Sequence, residues 1–369
     1  MIPVNEPLLD GNEKKYLGEC IDSGWISSDG PFVKRFEDEF ARRVERKFAV
    51  AVSSGTSALD AAVAALNISS DDEVIVPTFT IISCVHQIVR CGAKPVLVDS
   101  DRRTWNMKVE DIESKITPRT KAVMAVHLYG LPVDMTPLSA LAEKYNLRVI
   151  EDAAEMHGQT YKGAPCGSFG DVSVFSFYPN KHVTTGEGGM IVTDDEEIYR
   201  RCLSLRNLCF QNEQRFVHEE LGWNLRMSNL QAAVGVAQLE RLDAFVKKKK
   251  EMGKRYTELL SGLERVTLPI PSTDYADNIY WVFGILLDVD HPMAAADVLR
   301  KLREEGIGAR PFFCPMHKQP VLRNRGWFAD ETYPEADHLY SKGFYIPSGL
   351  ALTDEQMEKT VEVLWRILG

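Results

Sequence analysis

Apolar residues along this chain recur with two different periods, and the switch between them repeats. The runs Phe48-Ala49-Val50-Ala51-Val52, Glu73-Val74-Ile75-Val76-Pro77, Lys94-Pro95-Val96-Leu97-Val98-Asp99, Lys121-Ala122-Val123-Met124-Ala125-Val126 and Leu147-Arg148-Val149-Ile150-Glu151-Asp152 are short, nearly continuous in apolar character and rich in β-branched residues. That pattern predicts strands covered on both faces. Between and before them, spacings of three and four predict helices over Asp10 to Ser23, Phe32 to Val44, Ala61 to Leu66, Ile81 to Cys91 and Thr136 to Tyr145. Strands interleaved with helices predict a largely parallel sheet in an α/β fold, whose ligands bind beyond the strand ends.

The pattern continues with a strand-like run at Met190-Ile191-Val192-Thr193, a helix over Asp195 to Arg206 and an irregular polar excursion over 208–222. One long helix is predicted from Leu230 to Leu263, with a domain boundary inside it. Beyond it a strand is expected near Tyr280 to Leu287, a helix near Ala294 to Glu305, a strand near Ile307 to Phe313 and a last helix over Asp354 to Leu368.

Composition narrows the function classes. With 369 residues, 44% hydrophobic and 26% charged, the chain reads as a globular protein with one large core and a second, smaller one. A net charge of −10 argues against general nucleic-acid or membrane-surface binding, and the run Lys247-Lys248-Lys249-Lys250 is most simply a solvated helix face. Seven scattered cysteines with no CxxC pair disfavour a disulfide frame and a metal site, and fit a reducing cytosol. The first residues lack the basic-then-apolar pattern of an export signal, so a cytoplasmic protein is expected.

Candidate chemistry concentrates in Ser173 to Met190. An apolar alternating run stops at Pro179, a single lysine follows at Lys181, and Gly186-Glu187-Gly188-Gly189 leads into the next strand. The lysine is either a solvated loop residue or, with its pKa depressed, a nucleophile toward a carbonyl. Upstream, Ser53-Ser54-Gly55-Thr56-Ser57 stands between a strand and a helix. Those hydroxyls are helix caps, or they join the helix N-terminus in holding a phosphate. Asp152 ends a strand, as a cap or surface charge or as the partner of a cationic ring nitrogen. The loop from Gly24 to Pro31 is a turn around a buried Trp25 or a ligand-facing loop.

Taken in order, Ser53-Ser54-Gly55-Thr56, Glu151-Asp152-Ala153-Ala154-Glu155, Ser176 with Lys181, and Thr185-Gly186-Glu187-Gly188-Gly189 make the chain resemble the DegT/DnrJ/EryC1/StrS family of sugar aminotransferases over nearly its whole length. The resemblance implies the fold-type I architecture of pyridoxal 5'-phosphate enzymes. Its large domain, residues 1–240, would carry a mostly parallel seven-stranded sheet, and residues 241–369 would form a smaller α/β domain. It also implies roles. Lys181 would bond the cofactor aldehyde, and Asp152 would keep the ring nitrogen protonated. Gly55, Thr56 and Ser176 would hold the phosphate, Asn224 would reach it from a partner subunit in a homodimer with shared sites, and Glu155 would sit by the ring hydroxyl. Trp25, Ser27, Arg226 and His317 would face the substrate, and no metal is implied. One departure is Ile81, where many relatives carry an aromatic residue that stacks on the ring. Either aliphatic packing or Phe79 would then cover that face.

Within the family, Trp25-Ile26-Ser27-Ser28, Val126-His127-Leu128-Tyr129-Gly130 and Arg310-Pro311-Phe312-Phe313 with Pro315-Met316-His317 are similar to members that transfer an amino group from L-glutamate to GDP-4-keto-6-deoxy-D-mannose. Members acting on UDP- or dTDP-linked keto sugars share most of these words. The excursion from Gln211 to His218, with Gln214 and Arg215, is a candidate base-binding surface or a plain polar loop. Dehydratases of the same fold replace the lysine by histidine, whereas this chain keeps Lys181 and places His182 next to it. A catalytically silent binding protein of the same fold is the remaining class; an intact lysine, aspartate and phosphate loop argue against it.

Overall fold

The computed structural model describes residues 1–211 and 214–369. Its strands, in chain order, are β1 Phe48–Val52, β2 Glu73–Pro77, β3 Lys94–Val98, β4 Thr120–Val126, β5 Arg148–Asp152, the hairpin β6 Thr160–Tyr161 with β7 Ala164–Pro165, β8 Val172–Ser176, β9 Gly189–Thr193, β10 Val266–Thr267, β11 Phe283–Leu287, β12 Arg310–Pro311 and β13 Gly343–Ile346. The helices are α1 Glu13–Ser23, α2 Pro31–Arg43, α3 Gly55–Ala65, α4 Ser83–Arg90, α5 Met135–Tyr145, α6 Glu196–Arg206, α7 Asn229–Leu239, α8 Leu242–Leu259, α9 Ala295–Glu304, α10 Pro320–Arg323, α11 Pro334–Lys342 and α12 Asp354–Leu368.

Seven strands form one sheet in the order β1-β9-β8-β5-β4-β2-β3, all parallel except for β9, which runs against both neighbours. Successive strand residues point to opposite faces, so the apolar runs build two cores at once. Val50, Val74, Val76, Met124 and Ile150 pack with Ala58, Ala62, Ile88 and Cys202 from α3, α4 and α6. Ala49, Ala51, Ile75, Val123 and Val149 pack instead with Phe36, Phe40, Leu138 and Ala233 from α2, α5 and α7. A four-stranded sheet, β10-β11-β13-β12, gathers a third core in which Phe283, Ile285 and Phe344 meet Tyr256, Val298 and Leu364.

Three local readings need correction. The long helix expected from Leu230 to Leu263 is two helices, α7 and α8. The chain bends at Glu240 and Arg241, where the Glu240 carboxylate accepts from Tyr16 and Asn12 side chains of the N-terminal segment, a tertiary tie that helical spacing cannot register. The strand expected over Ile307 to Phe313 shrinks to Arg310–Pro311 at the sheet edge, since proline has no N–H for a ladder, and Ile307 pairs with Ile2 instead. The lysine run is not a uniformly wet face. Lys249 is 3% exposed and its Nζ donates to the carbonyls of Trp281 and Ser348.

Candidate active site

The parallel strands β5 and β8 end side by side, and the loop carrying Lys181 connects β8 to β9. That loop is fixed at several points. The Lys181 N–H donates to Tyr178 O at 2.9 Å, Thr185 N to Phe177 O at 3.0 Å and Val183 N to His157 Nδ1 at 3.1 Å. Beyond these strand ends lies a cavity of about 380 Å³. Gly55, Thr56, Asp152, Glu155, Ser176 and Lys181 all line it, and so do Trp281, Phe313 and Tyr345 from the C-terminal part of the chain. A larger surface cavity of about 630 Å³, near Asp101, Asp134 and Tyr275, holds none of the predicted site residues.

One wall of the cavity is built to receive an anion. Ser54 caps α3 by accepting from the Ser57 N–H at 3.0 Å, and the Ala58 N–H donates to Ser54 O at 3.0 Å. The N–H groups of Gly55 and Thr56 find no acceptor among the described residues. Thr56 Oγ1 lies 2.8 Å from Ser83 Oγ. A Cβ at Gly55 would lie 2.7 Å from Ser176 Cβ and 3.0 Å from Ser176 Oγ, so any side chain there would force Ser176 to shift. The helix N-terminus and the end of β8 therefore form one cradle of N–H and hydroxyl groups, favourable for negative charge.

Acids and an amine make up the second group. Lys181 Nζ stands 3.8 Å from Glu155 Oε1 and 3.8 Å from the centroid of the Trp281 ring. Glu155 Oε2 accepts the Tyr129 N–H at 2.6 Å. Asp152 Oδ1 accepts the Ala154 N–H at 3.0 Å, and Oδ2 accepts the Cys84 thiol at 3.3 Å. Burial lowers the Lys181 pKa, against the pull of the Glu155 and Asp152 charges. Burial likewise raises Glu155 to about 8 and raises Asp152. Each group is driven toward its neutral form, and a buried amine that sheds its proton readily is a nucleophile and a base.

Glu151, on the other face of β5, has a structural task. It accepts from His127 Nε2 at 3.0 Å, Phe169 N at 2.9 Å, Gly170 N at 3.1 Å, Ser173 Oγ at 3.0 Å and Gly167 N at 2.5 Å. His127 Nδ1 accepts the Val133 N–H, so Nε2 carries the proton it donates. Burial pushes Glu151 up, but His127 and the N–H donors overcome it and bring the carboxyl down to about 2. His127, Glu151 and Cys166 lie within 4.8 Å of one another, yet the carboxylate lone pairs are already committed to these donors.

The other expected site residues lie elsewhere. Asn224 is exposed and its backbone bridges to Asn207, while Arg226 donates to Asn207 Oδ1 at 2.6 Å. Trp25 is half-exposed rather than buried; its carbonyl accepts from Asn229 Nδ2 at 2.7 Å, and the exposed Ser27 offers its carbonyl to Asn229 N at 2.8 Å. His317 is buried, with Nδ1 2.7 Å from Thr78 Oγ1 and Nε2 2.8 Å from Asp337 Oδ1, so both ring nitrogens are committed. None of these five lines the cavity of its own chain among the described residues. Ile81 does line it, whereas Phe79 is fully buried against Tyr129, Phe312 and Phe313. Of the excursion Gln211 to His218, residues 212 and 213 lie outside the described residues; Arg215 stacks on Phe210 at 4.9 Å. Trp281 and Tyr345 escape sequence reasoning, since they sit in or beside short strands with no local motif, while Phe313 enters it only within a run of residues and with no role of its own.

A profile described as the DegT/DnrJ/EryC1/StrS aminotransferase family matches residues 7–365. A Vibrio cholerae protein named GDP-perosamine synthase is 42% identical over 360 residues, covering 97% of each chain. One of the same name from Escherichia coli O157:H7 is 43% identical over 356 residues, covering 96% of this chain and 95% of its own. An aminotransferase structure from Psychrobacter cryohalolentis superposes with a TM-score of 0.91 at 29% identity, covering 98% of both chains.

Proposed function

The chain belongs to the DegT/DnrJ/EryC1/StrS aminotransferase family, and from that premise we propose that it moves an amino group from L-glutamate to the 4-keto carbon of GDP-4-keto-6-deoxy-D-mannose, giving GDP-perosamine. It is a pyridoxal-phosphate-dependent sugar aminotransferase. The observation that carries the amino-transfer reading is the largely buried Lys181 amine, 3.8 Å from Glu155, in a cavity that also holds Asp152 and an anion cradle. The choice of sugar rests on the name shared by the two bacterial relatives.

The residues present fit the cofactor. The cradle of Gly55, Thr56 and Ser176, so close that a Cβ at position 55 would displace Ser176, suits a phosphate, and a buried carboxylate at Asp152 suits a basic ring nitrogen. When bound, pyridoxal 5'-phosphate supplies an aldehyde that bonds amines and a ring that accepts the electron pair released as a neighbouring C–H bond breaks.

What the chain itself does follows from its groups. Asp152 lies in a buried setting where a carboxylate opposite a protonated nitrogen is strongly favoured, so it holds positive charge there. Lys181 Nζ, lowered by burial, takes the proton leaving the donor's α carbon and can return it to the reacting carbon. Glu155, hydrogen-bonded to the Tyr129 N–H, holds or releases a proton beside that amine. Leu59, Ile81 and Phe313 give the cavity apolar walls. Asn224, exposed and not among the residues lining its own chain's cavity, would complete the phosphate site of a second copy in a homodimer, leaving a lone subunit incomplete.

Incubation with L-glutamate and GDP-4-keto-6-deoxymannose should yield 2-oxoglutarate and an aminated GDP-sugar in equal amounts. A deoxygenated sugar without nitrogen would contradict the assignment and point to the dehydratase chemistry of the same fold.

A further inference from the structure

Trp281 enters the cavity from the segment that leads into β11, and three contacts place it. Its carbonyl accepts from Lys249 Nζ at 2.9 Å, its Nε1–H donates to Asn180 O at 2.9 Å, and its ring lies 3.8 Å from Lys181 Nζ. The backbone approaches closely at Gly130, where φ is +101° and a Cβ would stand 2.9 Å from Trp281 N. The indole is only 3% exposed and stacks on Tyr129 at 5.9 Å, so it has little freedom to move away from the lysine. Nothing in the family reading above uses this residue.

We propose that Trp281 is a positioning residue whose indole face docks the Lys181 amine whenever that amine is not bonded to the cofactor, while its Nε1–H fixes the backbone immediately before the lysine. The inference rests on the reading of Lys181 as the cofactor-bonding residue. A cation over an indole face is attracted by the ring quadrupole, more strongly where water is excluded. Glu155 and Asp152 also favour the charged amine from the β5 side. Cys84 on α4, His157 from the segment after β5 and His182 next to it in the β8–β9 loop lie close enough to couple to its charge, and Lys249 on α8 lines a small pocket together with Lys181, Asn180 and His182. Glu155 Oε1, at 3.8 Å, is no nearer to the amine than the centre of the Trp281 ring, and Asp152 has no carboxylate oxygen within 4.0 Å of it among the described residues, so the ring is as close a partner as either acid. The freed amine is thereby kept in one place, on a surface that accepts the ammonium without bonding it irreversibly.

The test uses cofactor-free full-length protein and reads the lysine directly. Competitive acetylation with isotopic acetic anhydride, followed by mass spectrometry, gives the pH midpoint of Lys181 labelling. Trp281→Leu should lower that midpoint by about one unit, since the lost attraction favoured the ammonium, whereas Trp281→Phe should keep most of it. An unchanged or raised midpoint in Trp281→Leu overturns the proposal. If the leucine variant fails to fold, 5-fluorotryptophan protein supplies the second measurement. The Trp281 fluorine resonance, assigned by its absence in Trp281→Phe, should titrate at the lysine midpoint and lose that titration in Lys181→Met. A resonance that does not titrate, or that titrates identically in Lys181→Met, also overturns it. Before these runs, pyridoxal 5'-phosphate and borohydride should tag Lys181 in the unmodified protein; failure there sinks the cofactor reading itself, whereas tagging with no Trp281 effect sinks only this inference.

Discussion

Asp152 and Glu151 are neighbours in sequence with opposite duties, and the difference comes from what surrounds each carboxylate. Asp152 accepts one backbone N–H and one weak thiol donor, which leaves charge to spare for a ligand. Replacing it by asparagine keeps the shape and removes the charge; kcat should fall by about 10²-fold or more, with KM for the sugar little altered, in steady-state assays. Glu151 has five donors and no charge to spare. Its folded pKa, about 2, lies below the ordinary value of 4.5, so the unfolded chain binds the proton first as pH falls. Its contribution is complete above about 4.5 and is lost as pH drops toward 2, amounting to roughly 3 kcal/mol. Denaturant melts between pH 7 and pH 3 should show that acid-side loss, and Glu151→Gln should be less stable at pH 7 and much flatter across the same range.

At the scale of elements, the site is made where pieces end. The N-terminus of α3 and the end of β8 touch so closely that Gly55→Ala must push Ser176 aside. That variant should fold, yet bind pyridoxal 5'-phosphate about tenfold or more weakly in an absorbance titration, because the cradle and not the core is disturbed. Helix α8 is tied to the small sheet by Lys249, whose amine is the donor for the Trp281 and Ser348 carbonyls. Lys249→Ala should cost about 2–4 kcal/mol in a denaturant titration, through two stranded carbonyls and a new cavity. Much of this layout is legible in the sequence. The continuous apolar runs give β1 through β5 to within a residue or two, since strands buried on both faces admit almost nothing polar. Asp152 at a strand end, Gly55 and Thr56 at a helix start and Lys181 before a glycine-rich turn stand out from the local pattern as candidates, whereas Glu155 and Ser176 are singled out only by the family resemblance; all six line one cavity. Trp281 and Lys249 are not, because their positions depend on contacts more than 30 residues away along the chain. The break between α7 and α8 is hidden for the same reason, having neither glycine nor proline to announce it.

The whole molecule sets a cavity beyond the central strand ends of the mostly parallel sheet against aromatic side chains in or beside the smaller sheet, so both halves of the chain furnish its walls. No helix among the described residues is long and apolar enough to cross a membrane. If Asn224 serves a second copy, dilution that separates subunits should release cofactor and activity together, as followed by sedimentation and absorbance; a fully active monomer would oppose the shared site. Among GDP, UDP and dTDP as competitive inhibitors against the keto sugar, GDP should bind tightest if the sugar assignment holds. All of this depends on Lys181 being the residue that bonds the cofactor. The most direct measurement is borohydride reduction of the protein loaded with pyridoxal 5'-phosphate, followed by peptide mapping. The account predicts one pyridoxyl group per chain, on Lys181, and none in Lys181→Ala; a stable tag on another lysine, or a cofactor that washes out untagged, would contradict it.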